Sequence, residues 1–382
     1  MYNLSAFPTE LKKNIVTALK ATVATPVIIC SKEQIAYNLH YFLKCFSIRE
    51  RQVYFPVKVN HDIAVLSFLK KLGVCFEISS AGELEMLKNI QTDPDKIIFS
   101  NPVKIQKHIR LAHDYGIKTF AFDSESELLK LSQHAPASDV YLRIAVPNKG
   151  AEWKLEHKFG ARSQEACRLM KMATDCGLRP VGIAFHVGWN NTLPETFEAA
   201  MNIAAQVTTA LEEKGIKLNF LNIGGGFPAH GVDQYALLNN ISKKIKPQLA
   251  IFRIKHGMTI MAEPGSVIMA NTAVMLSAVT AVIKRGKKHW IFIDSSIFQG
   301  FQWIMGGLKY QLVYPYKTNE TVKLLPYNIT GPTCDSHDIF AENLMLPETV
   351  KAGDFFLVYP AGAYINSARE YNGFGYAGTV VC

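Results

Sequence analysis

The chain has 382 residues, of which 48% are hydrophobic and 19% are charged. This balance is typical of a globular protein, and the length favours two domains. No apolar run approaches the roughly 18 residues of a membrane span, so no membrane association is predicted. The net charge of +9 suits an anionic cofactor or substrate. Because the basic residues are dispersed and lack interleaved aromatic residues, nucleic-acid binding is not expected.

The N-terminal sequence MYNLSAFPTELKKN has no apolar core of a secretory signal, which predicts a cytoplasmic protein. The seven cysteines are scattered along the chain and form no C-x-x-C pair. Neither a zinc ribbon nor a redox dithiol is therefore indicated, and reduced thiols are the simplest interpretation. No metal site is predicted.

Short apolar segments alternate with amphipathic helical segments from residue 26 to residue 265. The segments between the strands, such as GELEMLKNI, carry apolar residues at helical spacing. About eight repeated β–α units in this length favour a parallel (β/α)₈ barrel of the TIM type over an open sheet. The predicted strands are VIIC (27–30), QVYFPVKV (52–59), CFEIS (75–79), KIIFS (96–100), TFAFD (119–123), VYLRIAV (140–146), GIAFHVG (182–188), FLNIGGG (220–226) and MTIMAEPG (258–265).

The sequence changes character at residue 266. Runs such as HWIFIDSS and DFFLVYP are typical of strands, and glycine, proline and charged turns separate them. Long amphipathic helices become scarce in this part of the chain. The pattern predicts a second, mainly β domain of the sandwich or barrel type over residues 266–382, together with part of residues 1–25.

Unusual polar residues fall at the ends of the predicted barrel strands, where barrels place their chemistry. Lys58 stands in the run PVKVN, and an amine in apolar surroundings can form an imine with an aldehyde. The run Gly224–Gly226 could bind a phosphate with its bare backbone, or it could form only a tight turn. Glu263 in AEPG could keep the ring nitrogen of a pyridine cofactor protonated, or it could pair with Arg143 or cap a helix.

Two further residues have a functional and a structural interpretation. His186 ends the strand GIAFHVG, and such a histidine is more often a satisfied core residue than a group that stacks on an aromatic cofactor. Cys334 lies in the polar loop GPTCDSHD, where a nucleophilic or proton-donating thiol is more credible than in an apolar core. An imine-forming lysine, a glycine-rich turn and a ring-facing carboxylate together predict pyridoxal 5′-phosphate as the cofactor.

The chain also resembles the ornithine/diaminopimelate/arginine decarboxylases, which are pyridoxal-phosphate enzymes of the alanine-racemase-like fold with a barrel and a β domain. The resemblance extends from TPVIICSKEQI near residue 25 to YNGFGYAGTVV near the C-terminus. It is carried, in the family's order, by PVKVN, FEISSAGELEML, IIFSNPVK, FAFDSESEL, LRIAVP, KFGA, FHVG, NIGGGFP, AEPG, GPTCDSHD and GAYINSAREYNGF.

The resemblance implies a role for each matching residue. Lys58 would bind the cofactor aldehyde covalently, His186 would stack on the pyridine ring, and Glu263 would pair with the ring nitrogen. Cys334 of the second subunit would protonate the α-carbon after CO₂ leaves, and Asp335 would help to bind the distal end of the substrate, so a homodimer with shared sites is implied. The other implied cofactor contacts are Glu77, Arg143, Gly224, Gly225, Gly226, Gly265, Ser266 and Tyr364, and Tyr371 is implied to line the substrate pocket.

Some positions depart from the family pattern. Trp189 stands where many relatives have a phosphate-binding serine, and Ser266 replaces a frequent phosphate-binding arginine. Another cation or the Trp189 indole N–H is expected to compensate. Gly306 and Gly307 occupy the place where ornithine and lysine enzymes carry an aromatic and an acidic residue that recognise the distal amine. Asp335 remains, but a buried ammonium without its full set of partners is costly.

The sequence therefore predicts a decarboxylase that acts on an amino acid or an amino-acid conjugate other than free ornithine or lysine, in a specialised biosynthetic pathway. Two alternatives stay open at this point. One is an amino-acid racemase on the same fold, and the other is a non-catalytic, decarboxylase-like binding protein with a regulatory role.

Overall fold

A computed structural model describes residues 2–21, 23–317, 321–367 and 370–382. The chain divides into two units, which comprise Leu39–Val267 and Met1–Asn38 with Ile268–Cys382. None of the helices within the described ranges combines the length and the apolar character that a membrane span requires.

The elements are named in chain order. The helices are α1 (Thr9–Lys20), α2 (Lys32–Phe46), α3 (Ile63–Lys71), α4 (Ala81–Asn89), α5 (Gln106–Tyr115), α6 (Glu125–His134), α7 (Ala166–Asp175), α8 (Pro194–Glu213), α9 (Gln234–Ile254) and α10 (Ser266–Met269). The strands are β1 (Val27–Cys30), β2 (Tyr54–Pro56), β3 (Cys75–Ile78), β4 (Ile97–Phe99), β5 (Thr119–Phe122), β6 (Asp139–Arg143), β7 (Arg179–Ala184), β8 (Phe220–Asn222), β9 (Thr259–Met261), β10 (Ala273–Arg285), β11 (Lys288–Ile293), β12 (Gln311–Val313), β13 (Leu324–Thr330), β14 (Ile339–Pro347), β15 (Phe355–Tyr359) and β16 (Gly378–Val381).

Residues 39–267 form the predicted barrel. Strands β2 to β9 pair in parallel in chain order. A parallel bridge between Val53 and Ala262 closes the sheet, and the Tyr54 backbone N–H donates to Ala262 O at 2.8 Å. Because the strands are short and closed into a barrel, their carboxyl ends meet on one rim, which is where barrel enzymes carry their active sites.

The strands and helices of the barrel follow local sequence signals. Strand interiors are apolar because both faces are buried, and one cluster inside the barrel comprises Ile98, Ala121, Tyr141, Ala184, Phe220 and Met261. Helix α3 begins where Asp62 accepts the backbone N–H groups of Ala64 and Val65 at 2.9 and 3.3 Å. Ser80 caps α4 in the same way by accepting the N–H of Glu83 at 3.3 Å. The apolar faces of the helices then pack on the outside of the sheet.

The second unit contains an eight-stranded sheet, and its mainly β character was predicted. The long strand β10 pairs with β1, β11 and β15, and β16 pairs in parallel with β1. Helix α1 covers β1 by burying Leu11, Ile15 and Leu19 against Val27 and Ile29. The N-terminal segment therefore completes the core of this unit.

The structure corrects the assignment of VIIC, residues 27–30, to the barrel. This segment is β1, which lies between β10 and β16 in the second unit, so the unit boundary falls at residues 38 and 39 instead of residue 26. All four of its residues are buried. A short run that is apolar throughout is expected in any strand with neighbours on both sides and cover on both faces, so the sequence alone could not distinguish the two sheets.

Candidate active site

Lys58 lies in a turn at the carboxyl end of β2 and not within a strand. Residues Val57–Val59 form a single 3₁₀ turn, in which both valines are buried while the lysine side chain is 47% exposed. The Lys58 ammonium donates to the two carboxylate oxygens of Glu77 at 3.1 and 3.3 Å and to Ser79 Oγ at 3.4 Å. The buried valines fix the turn, and the turn presents an accessible amine beside a carboxylate.

That carboxylate belongs to a small acidic cluster at the end of β3. Glu77 is only 2% exposed, and Ser79 Oγ donates to its Oε1 at 3.0 Å. Glu83 Oε2 accepts the Ser79 backbone N–H at 2.6 Å, and burial, helped by the charge of Glu77, raises the pKa of Glu83 to about 7. Ser79 and Glu83 were not predicted as site residues. The local sequence pattern that involves Glu83 is S-x-x-E from Ser80, and such a pattern signals only a helix start.

Glu263 follows β9 and is held by two neutral donors. Ser100 Oγ donates to Glu263 Oε1 at 2.6 Å and Asn222 Nδ2 donates to the same oxygen at 2.7 Å. Burial, and next the charge of Glu77, raise the pKa of Glu263, whereas these two hydrogen bonds favour its anion. A buried carboxylate whose anion is favoured by two neutral donors interacts favourably with a cationic N–H group. The alternative partner Arg143 makes no ion pair within the described residues, and its guanidinium instead lies 4.9 Å from the ring centroid of Phe159.

His186 follows β7 and carries a neutral ring. Its Nδ1 accepts the Gly188 backbone N–H at 3.1 Å, which leaves the hydrogen of the neutral imidazole on Nε2. Burial and the positive charges of Arg143 and Lys58 hold the pKa of His186 well below its usual range. A flat, uncharged ring in this position is suited to stacking on an aromatic molecule.

The run Gly224–Gly226 forms a turn beside His186 and Glu263. Gly224 and Gly226 have φ angles of +64° and +87°. A Cβ on either would collide with the carbonyl oxygen of Phe185 or Gly188, and a Cβ on Gly225 would lie 2.6 Å from Glu263 O. Glycine is therefore required at all three positions, and the turn leaves its backbone without side-chain cover.

Gly265 meets a similar steric limit. A Cβ there would lie 2.5 Å from Val59 Cγ2, so the absence of a side chain lets the segment after β9 pack directly on the turn that carries Lys58.

Trp189 and Ser266, the two residues that depart from the family pattern near the predicted phosphate site, contact each other. The Trp189 indole N–H donates to Ser266 Oγ at 3.2 Å, and both residues are buried. Trp189 also stacks on Trp153 with centroids 4.5 Å apart and an interplanar angle of 19°. The indole N–H, which was expected to be available to a phosphate, is thus already donated. In this arrangement the hydroxyl hydrogen of Ser266 takes the place of the indole N–H as the hydrogen-bond donor for a phosphate.

His230 adds a second polar group beside this pair of residues. Its ring centroid lies 5.0 Å from that of Trp189, and within the described residues neither ring nitrogen has a hydrogen-bond partner. Burial lowers the pKa of His230 to about 4. Trp153 and His230 were not predicted, because neither stands at a strand end.

In the second unit, Cys334, Asp335 and Tyr371 lie together. Asp335 accepts the Tyr371 hydroxyl in a short hydrogen bond, and it accepts the His337 backbone N–H at 2.8 Å. His337 Nδ1 lies 3.0 Å from the same carboxylate. The hydroxyl of Tyr371, and then His337, hold the pKa of Asp335 down at about 2. Asp335 is therefore a fixed anion, next to an exposed Cys334 thiol that lies 3.9 Å from the amide nitrogen of Asn372.

Three other predicted residues are in this unit. Tyr364 has a left-handed backbone with φ of +60°, which is uncommon for a bulky residue and typical of a position constrained for function. Gly306 and Gly307 end the 3₁₀ helix Gln302–Gly306 and are exposed. A Cβ on Gly307 would meet none of the described atoms within 4 Å. The space at Gly307 is therefore open among the described residues.

The predicted residues thus fall into two sets, one in each unit. Lys58, Glu77, Glu263, His186, Arg143 and the glycine turn belong to the barrel. Cys334, Asp335, Tyr371, Tyr364 and the two glycines belong to the β unit.

The comparison with known families is consistent with this arrangement. The model of the pyridoxal-dependent decarboxylases, which describes their pyridoxal-binding domain, matches residues 32–270. The chain belongs to this family. It is 33% identical over 378 residues to a lysine/ornithine decarboxylase of Selenomonas ruminantium, and the match covers 97% of this chain and 93% of that protein. It is 31% identical to the ornithine decarboxylase of Rattus norvegicus, with 84% and 73% of the two chains covered.

Solved structures of the family have the same fold. A lysine decarboxylase from Selenomonas ruminantium superimposes with a TM-score of 0.86 and 32% identity, over 98% of this chain and 96% of that chain. A lysine/ornithine decarboxylase from Vibrio vulnificus, complexed with putrescine, gives a TM-score of 0.86 at 25% identity over 98% and 99%. The predicted barrel with a mainly β domain is confirmed, and the chain is a pyridoxal-phosphate-dependent amino-acid decarboxylase.

The barrel residues fit the family's cofactor. The bare glycine turn suits a phosphate group, and the neutral ring of His186 suits a pyridine face. The hydrogen bonds from Ser100 and Asn222 favour the anion of Glu263, which suits a carboxylate that faces a ring N–H. The half-exposed amine of Lys58 is available to an aldehyde.

Proposed function

We propose that this decarboxylase acts on an amino acid or amino-acid conjugate larger than free ornithine or lysine. The observation that carries the proposal is the exposure of Gly306 and Gly307, positions without a side chain to recognise a distal amine, together with the open space at Gly307. For the distal ammonium of a free diamino acid, Asp335 would be the carboxylate that remains. Part of its capacity to accept hydrogen bonds is already used by Tyr371 and His337. The names of the relatives favour the alternative, which is a free diamino acid.

The barrel residues take the following roles in the proposal. Pyridoxal phosphate, when bound, supplies an electron sink for the electron pair that the departing α-carboxylate leaves behind. Lys58 binds the cofactor, and Glu77 orients the Lys58 amine through the ion pair at 3.1 Å. Glu263 holds the proton of the ring nitrogen, with Ser100 and Asn222 fixing the direction of its carboxylate. His186 supports the ring face, and Arg143 adds positive charge nearby.

The phosphate end is proposed to rest on the turn Gly224–Gly226. The N–H groups of Gly225 and Gly226 would be its backbone donors, because the Gly224 N–H already donates to Asn222 Oδ1 at 2.9 Å. The hydroxyl of Ser266 would be the neutral donor at this end, because Trp189 already satisfies the oxygen of that hydroxyl. Tyr364, which has a left-handed backbone, keeps in this proposal the phosphate-contacting role that the family resemblance implies.

We further propose a homodimer in which Cys334 and Asp335 serve the active site of the partner subunit. Cys334 Sγ would give its proton to the α-carbon after CO₂ has left, and Asp335, with Tyr371, would bind the far end of the substrate. The cytoplasmic location inferred from the N-terminal sequence stays a prediction.

A substrate panel tests the proposed specificity. Release of CO₂ is measured for free ornithine, lysine, arginine and diaminopimelate, and for the same amino acids conjugated through the side chain to a citryl, peptidyl or nucleotidyl group. Because Gly306 and Gly307 are exposed and carry no side chain, we expect the highest kcat/KM for a conjugate. If free ornithine or lysine gave the highest value, the specificity would be that of the named relatives and the proposal would be wrong.

Replacing Cys334 with alanine should slow or misdirect protonation of the product while leaving cofactor uptake intact. The expected loss is about 10²- to 10⁴-fold in formation of the normal amine, the range for removal of a positioned acid. Product analysis by mass spectrometry in deuterated water, with the visible spectrum as a measure of cofactor binding, separates the two effects. Cys382→Ala, which removes another exposed thiol, is the matched control. Normal turnover in Cys334→Ala would remove the role assigned to this thiol.

A further inference from the structure

A concave pocket with a volume of about 400 Å³ lies on the helical exterior of the barrel unit, between α2 and α9. This volume is sufficient for a small molecule. The pocket is lined by one end of α2, the residue Ser47 that follows it, and the first half of α9. None of the residues that carry the proposed chemistry contributes to it.

Three lysines converge on this pocket, and none of the described residues that line it is acidic. They are Lys44 from α2, with Lys243 and Lys246 from α9. Lys243 and Lys246 are three residues apart, so they project from the same face of the helix. Within the described part of the chain none of these ammonium groups forms an ion pair, whereas the adjacent Lys244 pairs with Glu198 at 3.2 Å. Like charges held close together disfavour the folded state, and a bound anion would relieve that repulsion.

Neutral hydrogen-bonding groups complete the lining. The amide of Asn239 and the hydroxyl of Ser47 make no side-chain hydrogen bond as donors within the described residues, so both are available to a ligand. The floor is fixed by local hydrogen bonds, because Tyr41 donates to Tyr235 O at 3.1 Å and Ser242 donates to Asn239 O at 3.0 Å.

The two helices are also tied together beside the pocket. Arg253 of α9 donates to the carbonyl oxygens of Phe46 and Ser47 at 2.8 and 3.1 Å. The charges are thus presented on a preformed surface, which lowers the ordering cost of binding.

We propose that this pocket binds a small anion with two or more phosphate groups. Three ammonium groups from two helices favour a ligand with several separated negative charges, and lysine is a common phosphate ligand that acts as a point charge. The limited volume, with Tyr41 as the single aromatic residue among the described residues that line the pocket, favours a compact polyphosphate over a nucleic-acid strand.

Isothermal titration of the cofactor-loaded protein with inorganic tripolyphosphate tests this proposal. Loading the protein with pyridoxal phosphate keeps the probe out of the cofactor's own phosphate site. The expected result is saturable binding of one tripolyphosphate per chain that weakens with added salt. The triple variant Lys44→Gln, Lys243→Gln and Lys246→Gln should raise Kd by about tenfold or more.

The matched control is Lys284→Gln, Lys287→Gln and Lys288→Gln, which removes the same charge from the exposed β10–β11 turn. Its Kd should stay within about twofold of the wild-type value, because these lysines do not line the pocket. Labelling of Cys45, which does line the pocket, should also fall when tripolyphosphate is present. An absence of saturable binding, an equal loss in both triple variants, unchanged Cys45 labelling, or equal binding of citrate would each overturn the proposal.

Discussion

Replacing Lys58 with alanine is expected to abolish the visible absorbance of the cofactor-loaded protein and to lower turnover by about 10⁴-fold. The Lys58 side chain is 47% exposed, its charge acts on Glu263, and its turn is held by two buried valines. Alanine removes the amine but leaves the turn, so the chain should still fold. The visible spectrum after addition of pyridoxal phosphate, together with CO₂ release, measures the two consequences.

Lys118→Ala is the matched control for this variant. It removes another ion-paired lysine of the barrel unit, one whose partner Asp95 lies 2.8 Å away and whose side chain is well exposed. Its spectrum and turnover should equal those of the wild type. A Lys58→Ala protein that kept the visible band would contradict the assignment. A colourless wild type that took up no cofactor would contradict the roles proposed for all of the barrel residues.

Replacing Glu263 with glutamine should lower kcat by about 10²- to 10³-fold with little change in cofactor uptake, the range for loss of one preorganised electrostatic contact. Glutamine keeps an oxygen that can accept from Ser100 and Asn222 at their present positions. It cannot hold a proton on the ring nitrogen, because an amide carries no negative charge. Steady-state rates and the fraction of bound cofactor distinguish a chemical defect from a binding defect.

Glu125→Gln is a suitable control, since Glu125 forms an exposed ion pair with Arg168 at 2.8 Å on the surface of the barrel unit. Its kcat should not change. If Glu263→Gln turned over at the wild-type rate, the carboxylate would have no part in the chemistry and its hydrogen bonds would be structural.

The strand-end positions of the site could be predicted from the sequence because buried parallel strands leave their polar residues at one rim. Lys58, Glu77 and Glu263 were found in this way. Ser100 and Asn222 were missed although they also stand at strand ends, because their importance depends on contact with Glu263, which is 163 and 41 residues away along the chain. Hydroxyl and amide groups are frequent at such positions, so only the closed barrel shows which carboxylate they serve.

Other features depend on tertiary contacts that no local pattern records. Trp189 and Ser266 were recognised as separate departures, but their hydrogen bond joins positions 77 residues apart and could not be inferred. The segment VIIC was assigned to the wrong sheet, because its apolar run fits any strand that is buried on both faces. The substrate preference rests on side chains that are absent at Gly306 and Gly307, and it remains a proposal.

Mass spectrometry after borohydride reduction of the cofactor-loaded protein tests the central claim most directly. Reduction makes the bond between the cofactor and its lysine permanent, so digestion shows which lysine carries it. We expect a pyridoxyl group on the peptide that contains Lys58. The chain offers a clear competitor in Lys104, which is fully buried, pairs with Glu127 at 2.8 Å, and has a pKa that burial lowers to about 8. A pyridoxyl group on Lys104, or on any lysine other than Lys58, would contradict the account.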